Sequence, residues 1–164
     1  MLRVLRPSVY VEVGCRSGET LRFIRDDAIA NKTVVYAIDI KDVKNKIPKE
    51  VNFIQGDSDT VGRKWDTPID MLFIDADHSA SSVLNDFKNF GKWVKPNGII
   101  FLHDTYPLDE SKTSSNECGD CWKAAWKIRK ELGNEFEIVT IPVVNGLSII
   151  RKSSKQMDWQ KEID

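Results

Sequence analysis

The feature that most constrains this chain is its alternation of short apolar runs with helix-like stretches. Ser8-Val9-Tyr10-Val11-Glu12-Val13 reads as a strand that ends at Gly14, and Thr20 to Ala30 reads as a helix with Leu21, Ile24 and Ile29 toward the core. Thr33 to Ile38, Val51 to Ile54 (closed by Gly56) and Asp70 to Ile74 are the next strands. Their nearly continuous apolar character fits parallel strands covered on both faces. Ala80 to Trp93 is a helix with Val83, Leu84, Phe87 and Phe90 on one face. After a turn at Pro96-Asn97-Gly98 comes a fifth strand, Ile99 to Leu102, then a helix from Trp122 to Leu132 stopped by Gly133. Glu137 to Ile141 and Leu147 to Ile150 close the series, with Asn145-Gly146 favouring a tight reversal between them. Strand–helix alternation followed by two adjacent strands predicts an open α/β sheet.

Composition narrows the class. The 164 residues carry Lys+Arg 24 against Asp+Glu 25, a formal net charge of -1. That balance argues against a general nucleic-acid binder. With 41% hydrophobic and 30% charged residues the chain reads as globular, and its apolar runs are far short of the roughly 20 residues a membrane span needs. The first six residues are too short and too charged for a signal peptide, and three cysteines do not make a disulfide scaffold. A cytoplasmic protein is expected, with one domain over 1–152 and a polar, frayed tail over 153–164.

Ligands of open α/β sheets bind at the carboxyl ends of the strands, and the unusual residues collect there. Gly14-Cys15-Arg16-Ser17-Gly18 follows the first strand, where glycines let a ligand approach the backbone and a helix start offers free N–H groups. The spacing is looser than G-x-G-x-x-G and also fits an ordinary strand-to-helix turn. Asp39 ends the second strand about 20 residues later, where a carboxylate can accept from both hydroxyls of a ribose. Gly56-Asp57-Ser58 ends the third and could read an adenine edge, or serve only as turn chemistry. Asp75-Ala76-Asp77-His78 and His103-Asp104-Thr105 end the fourth and fifth and carry both histidines of the chain. Two carboxylates and two imidazoles from adjacent strands could hold a divalent metal, supply a general base, or cap helices and hold loops.

These residues resemble the class I S-adenosylmethionine-dependent methyltransferases. Glu12-x-Gly14-x-x-x-Gly18, Asp39, Gly56-Asp57 and Phe73-Ile74-Asp75-Ala76-Asp77-His78 carry the resemblance, which runs from about Val9 to Lys152. The stretch from Phe73 to Asp104 is similar to the branch of small-molecule O-methyltransferases that use a divalent metal. The resemblance implies a Rossmann-like sheet of seven strands in the order 3-2-1-4-5-7-6, the last strand antiparallel, with helices on both faces. It implies that Gly14, Cys15, Arg16, Ser17 and Gly18 wrap the methionine part of the cofactor, with Glu12 acting on its amino group indirectly. Asp39 would hold the ribose with Ile40 beside it, Gly56, Asp57 and Ser58 would lie by the adenine, and Asp75 would sit beside the transferable methyl. Asp75 and Asp104 would bind Mg²⁺ or another divalent metal, with His103 as third ligand and His78 as base. Catechol-type members carry Lys where His78 stands and Asn where Thr105 stands. Macrolide-sugar relatives carry an acid where His103 stands. The expected reaction is O-methylation of a hydroxyl acceptor, small or larger. The competing expectations are an NAD- or nucleotide-binding oxidoreductase-like domain and a non-catalytic S-adenosylmethionine-binding module.

Four further features carry expectations. Thr105 to Asp120 is a long structureless loop suited to substrate contact, with Tyr106 as an aromatic wall. Cys118-Gly119-Asp120-Cys121 is half a zinc site without a second pair, so incidental thiols are expected unless Cys15 folds in. Trp122 and Trp126, one turn apart, suggest a core or oligomer contact. The chain has little before its first strand for this family, so an open site, or a site completed by a second subunit in a homo-oligomer, is expected.

Overall fold

A computed structural model describes residues 1–153; the expected tail, from residue 154 on, lies outside the described residues. Seven strands form one sheet: β1 (Val9–Val13), β2 (Val34–Asp39), β3 (Asn52–Gln55), β4 (Ile69–Ile74), β5 (Val94–His103), β6 (Phe136–Ile141) and β7 (Leu147–Lys152). Their order is β3-β2-β1-β4-β5-β7-β6, as expected. The first five are mutually parallel, and β7 runs antiparallel to both β5 and β6. Every carboxyl end of β1 to β5 therefore faces the same edge.

The helices are α1 (Leu2–Leu5), α2 (Glu19–Asn31), α3 (Ser58–Arg63), α4 (Ala80–Gly91) and α5 (Cys121–Leu132). On one side of the sheet α4 and α5 deliver Val83, Phe87, Phe90, Cys121, Ala124 and Ile128 onto Leu72, Ile100, Leu102 and Ile150. On the other, Leu2, Leu21 and Ala28 cover Tyr10, Val35, Ala37 and Met71. The strands β1, β2 and β4 are mostly apolar because they bury side chains on both faces. Among the described residues no helix is long and apolar enough to cross a membrane.

Several expectations fail for local reasons. Ile29 is 51% exposed, because Leu21, Ile24 and Ala28 already fill the face of α2 that meets the sheet. Pro96-Asn97-Gly98 does not end an element. Instead β5 starts at Val94, and the segment bulges where Ile69 pairs with Val94 but Met71 pairs with Ile99. Asn97 takes the left-handed backbone there, at φ 64. Of the core or oligomer contact expected of Trp122 and Trp126, the core half fails: they are 39% and 59% exposed, since Cys121, Ala124, Ala125 and Ile128 form the buried stripe of α5. The segment 105–120 is not structureless: it contains a 3-10 turn at Glu110–Thr113, and Cys118 N donates to Lys112 O at 3.0 Å. The short helix α3 went unexpected, although Asp57 caps it by accepting from Thr60 N at 2.9 Å.

Candidate active site

The turn after β1 is built to leave space. Gly14 sits at φ +86, and a Cβ there would overlap the carbonyl oxygen of Asp75 and the Cα of Ala76. Only glycine therefore lets the end of β1 lie this close to the end of β4. Gly14 N donates to Ile38 O at 2.8 Å and Gly18 N to Cys15 O at 2.7 Å, which curls the loop back on itself. Arg22 fastens it from α2, donating to Ser17 O at 2.6 Å and Lys46 O at 2.8 Å. The Asp39 carboxylate accepts from Arg16 N at 2.8 Å and Lys41 N at 2.9 Å, so the loop also fixes the acid at the end of β2. Arg16 and Ile40 are exposed, whereas Cys15 is buried and burial pushes its thiol up to about 12.

Between these strand ends lies a cavity of about 190 Å³, lined among others by Gly14, Asp39, Ile40, Gly56, Asp57, Ser58 and Asp77. It brings Gly14 together with Asp39, Ile40, Gly56, Asp57 and Ser58 and adds Ala76 and Asp77 from the end of β4, while Cys15, Arg16, Ser17 and Gly18 do not line it. Glu12 lies beneath the loop at 2% exposure. It accepts a hydrogen bond from the Tyr10 hydroxyl at 2.8 Å, and burial pushes its carboxyl up to about 8. Asp86 of α4 is equally buried, takes the Ser58 hydroxyl, and is raised by burial to about 6. Neither Tyr10 nor Asp86 stood out in the sequence. An acid on the Val83–Phe87–Phe90 face of a helix was the available signal for Asp86.

The second cluster sits at the ends of β4 and β5. The ligand atoms of Asp75, His78 and Asp104 all lie within 4.8 Å of one another. His78 Nε2 is 3.4 Å from Asp104 Oδ2. His103 Nδ1 lies between the two acids, 3.4 Å from Asp75 Oδ1 and 3.2 Å from Asp104 Oδ1. These contacts, Asp104 first and Asp75 second, push the His103 imidazolium up to about 10. Burial raises the Asp104 carboxyl, but His103 and His78 outweigh it and hold it below its usual range. Asp104 is 5% exposed and adopts φ 57, a backbone region uncommon for a residue with a side chain. Its buried Oδ1 has His103 Nδ1 3.2 Å away, outside hydrogen-bond geometry. The three thiols are buried and belong to no metal-competent group among the described residues.

Beside this cluster, Thr105, Tyr106, Trp122, Trp126, Arg129 and Thr140 line an open groove of about 510 Å³. Asp120 N donates to the His78 carbonyl at 3.1 Å, and Asp120 Oδ1 accepts from Ala80 N at 2.6 Å. The segment 105–120 is thereby tied to the cluster rather than hanging free.

Comparison with known proteins agrees with this geometry. A family model described as a methyltransferase domain matches residues 11–105, more than half of the chain. Among solved structures, an S-adenosylhomocysteine-bound methyltransferase of Podospora anserina superimposes with a TM-score of 0.75 at 18% identity, over 93% of this chain and 75% of that one. An O-methyltransferase of Bacillus cereus in complex with S-adenosylhomocysteine gives 0.70 at 13% identity, over 93% and 77%. The MycE methyltransferase of mycinamycin biosynthesis, in complex with Mg and S-adenosylhomocysteine, gives 0.67 at 18% identity, over 96% of this chain but 48% of that one. With more than half its length matched and the loop, the sheet order and the strand-end acids in place, the chain belongs to the methyltransferase domain family.

Proposed function

We propose that the chain transfers the methyl group of S-adenosylmethionine to a hydroxyl oxygen with the help of a divalent cation. The observation that carries the reading is the meeting of two built features at one sheet edge. One is the glycine-cleared cavity between Gly14 and Asp39; the other is the cluster of Asp75, His78, His103 and Asp104. The cavity suits a nucleoside bearing an amino-acid tail. Asp39 can take ribose hydroxyls with the lone pairs that Arg16 N and Lys41 N leave free, and Asp57 and Ser58 stand where a base edge would lie. The structures of Podospora and Bacillus methyltransferases with S-adenosylhomocysteine support that choice of donor.

A sulfonium methyl is already activated, so the protein's share is to align the two reactants and remove a proton. Gly14 and the end of β4 are in direct backbone contact, which sets the cofactor loop against Asp75. The carboxylates of Asp75 and Asp104 supply hard oxygen donors close enough together, with His78, to share a cation. A cation bound there would lower the pKa of an acceptor hydroxyl. His78 and His103 flank the carboxylates, and both remain partly open to an acceptor, with side chains 31% and 29% exposed. They divide two tasks between them, completing the donor set and receiving the proton.

Incubation with methyl-labelled S-adenosylmethionine, Mg²⁺ or Mn²⁺, and matched hydroxyl and amine acceptors tests the reading. Label should pass to the hydroxyl compounds, and Asp75→Ala should lower that rate by at least 100-fold. Transfer to amines alone, undisturbed by Asp75→Ala, would refute the hydroxyl assignment.

A further inference from the structure

We infer that the groove between α5 and β6 holds the part of the acceptor remote from its reacting hydroxyl, and that this part is a flat ring bearing a carboxylate or phosphate. The inference rests on the hydroxyl-transfer reading above and narrows its substrate class.

The aromatic half of the argument comes from α5. Trp122, Trp126 and Arg129 follow one another at four and three residues, so they share one face of the helix. That face is not what fastens α5, because the buried stripe on the sheet is made by Cys121, Ala124, Ala125 and Ile128. The two indoles line the groove together with Tyr106 from the loop after β5 and Val139 from β6, and Tyr106, Trp126 and Val139 are each more than half exposed. An indole pair of this kind offers a broad apolar surface on which another ring can stack.

The ionic half comes from the same helix. Lys123 and Lys127 are paired with Asp120 and Glu131. Arg129 and Lys130 have no carboxylate partner among the described residues. Lys130 Nζ stands 4.9 Å from the centroid of the Trp126 ring, so charge and ring form one surface. Arg129 donates from Nη2 to the Ile138 carbonyl at 3.1 Å, which ties its guanidinium to β6 and leaves its other donors for a ligand. A guanidinium fork matches carboxylate and phosphate oxygens two at a time. A neutral ring would leave both cations unmatched, and an anion without a ring would leave the indoles bare.

The groove is also fixed and joined to the reacting end. Thr105, which lines it, directly follows Asp104. Thr105 N and Tyr106 N donate to the carbonyls of Gly146 and Asn145, at 3.3 and 2.8 Å. The hydroxyls of Thr140, Ser148 and Thr105 form a chain with 2.8 Å at each step, and Ser148 is fully buried. The walls are thus set by β6, β7 and α5 before a ligand arrives.

The test uses probes that carry no hydroxyl for transfer. Benzoate, phenyl phosphate, methyl benzoate and glucose 6-phosphate are titrated into the full chain with S-adenosylhomocysteine present. The indole N–H signals are followed by nuclear magnetic resonance and assigned with Trp122→Phe and Trp126→Phe, and calorimetry measures S-adenosylhomocysteine binding separately. Benzoate or phenyl phosphate should shift the Trp122 and Trp126 signals saturably, the tighter of the two identifying the anion. That probe should bind about fivefold or more tighter than methyl benzoate and than glucose 6-phosphate. Arg129→Gln should bring it down to the level of the ester and leave the ester unchanged. Thermal melts of each variant check folding. Equal binding of ester and anions would overturn the ionic half, and equal binding of glucose 6-phosphate would overturn the ring. Sedimentation at the same concentration adds the last arm: a dimer that shields both indoles, with no probe bound, would make the groove a contact between two copies and overturn the inference. No probe binding while S-adenosylhomocysteine still binds would overturn it too, leaving the methyl-donor reading intact.

Discussion

Gly14→Ala tests the geometry that joins the two halves of the site. The backbone there is at φ +86, which an L side chain adopts at about 1–2 kcal/mol. The new methyl would overlap the Asp75 carbonyl oxygen and lie 2.6 Å from its carbonyl carbon. These are backbone atoms at the end of a fully paired strand, so no side-chain rotation relieves the overlap. Overpacking of this kind costs about 1–3 kcal/mol, for a total of roughly 2–5 kcal/mol. If the fold bears the strain, the melting temperature should fall by roughly 4–20 °C, at about 2–4 °C per kcal/mol for a chain of this size. If the loop moves instead, the cavity beside Asp39 deforms and S-adenosylhomocysteine affinity should drop about 30-fold or more. Calorimetric titration and a thermal melt on the same sample read both. Gly91→Ala is the control: a Cβ there meets only Ile100 Cδ1, at 3.7 Å, and should leave both quantities nearly unchanged. A Gly14→Ala protein that melts within 2 °C of the parent and binds within threefold would refute the close-approach argument.

Two further outcomes follow from burial. Glu12 prefers its proton in the folded chain, with its carboxyl raised from 4.5 to about 8. As pH rises from about 4.5 to about 8 the unfolded chain releases this proton first, so stability should decline across that window and level off above it. Glu12→Gln, which stays neutral, should flatten the decline; an identical pH slope of melting temperature in both proteins would contradict the assignment. Phe90 is fully buried between α4 and the sheet, while Trp126 is 59% exposed on α5. Chemical denaturation should therefore show a loss of about 3–5 kcal/mol for Phe90→Ala and under about 1 kcal/mol for Trp126→Ala, despite the larger side chain removed.

The sheet was legible because parallel strands buried on both faces leave mostly apolar runs, as Val9–Val13, Val34–Asp39 and Ile69–Ile74 show. The strand-end acids were legible because such a sheet places its ligands at one edge. What escaped was decided by packing partners rather than by local pattern. Ile29 looks like a continuation of the apolar face of α2, yet the positions that meet the sheet are Leu21, Ile24 and Ala28. Trp122 and Trp126 have core spacing, but small residues on the adjoining stripe let α5 sit close to the sheet and leave the indoles outside. The helix α3 spans six residues and includes Gly62, so its periodicity is too brief to register. Gly62 is there because a Cβ would press on Asn89 and Phe90 of α4, at 2.8 Å each. The pairing of Tyr10 with Glu12 follows from alternation along β1, but its burial depends on α2 and could not be read from β1 alone.

The central claim is that the cavity between Gly14 and Asp39 binds a sulfonium nucleoside that donates its methyl group. The most direct measurement is a calorimetric titration of the unmodified chain with S-adenosylhomocysteine, run beside NAD. The account predicts saturable one-to-one binding of S-adenosylhomocysteine in the micromolar range, weakened at least tenfold by Asp39→Ala, and no comparable binding of NAD. Absence of S-adenosylhomocysteine binding up to millimolar concentration, with NAD bound instead, would contradict it.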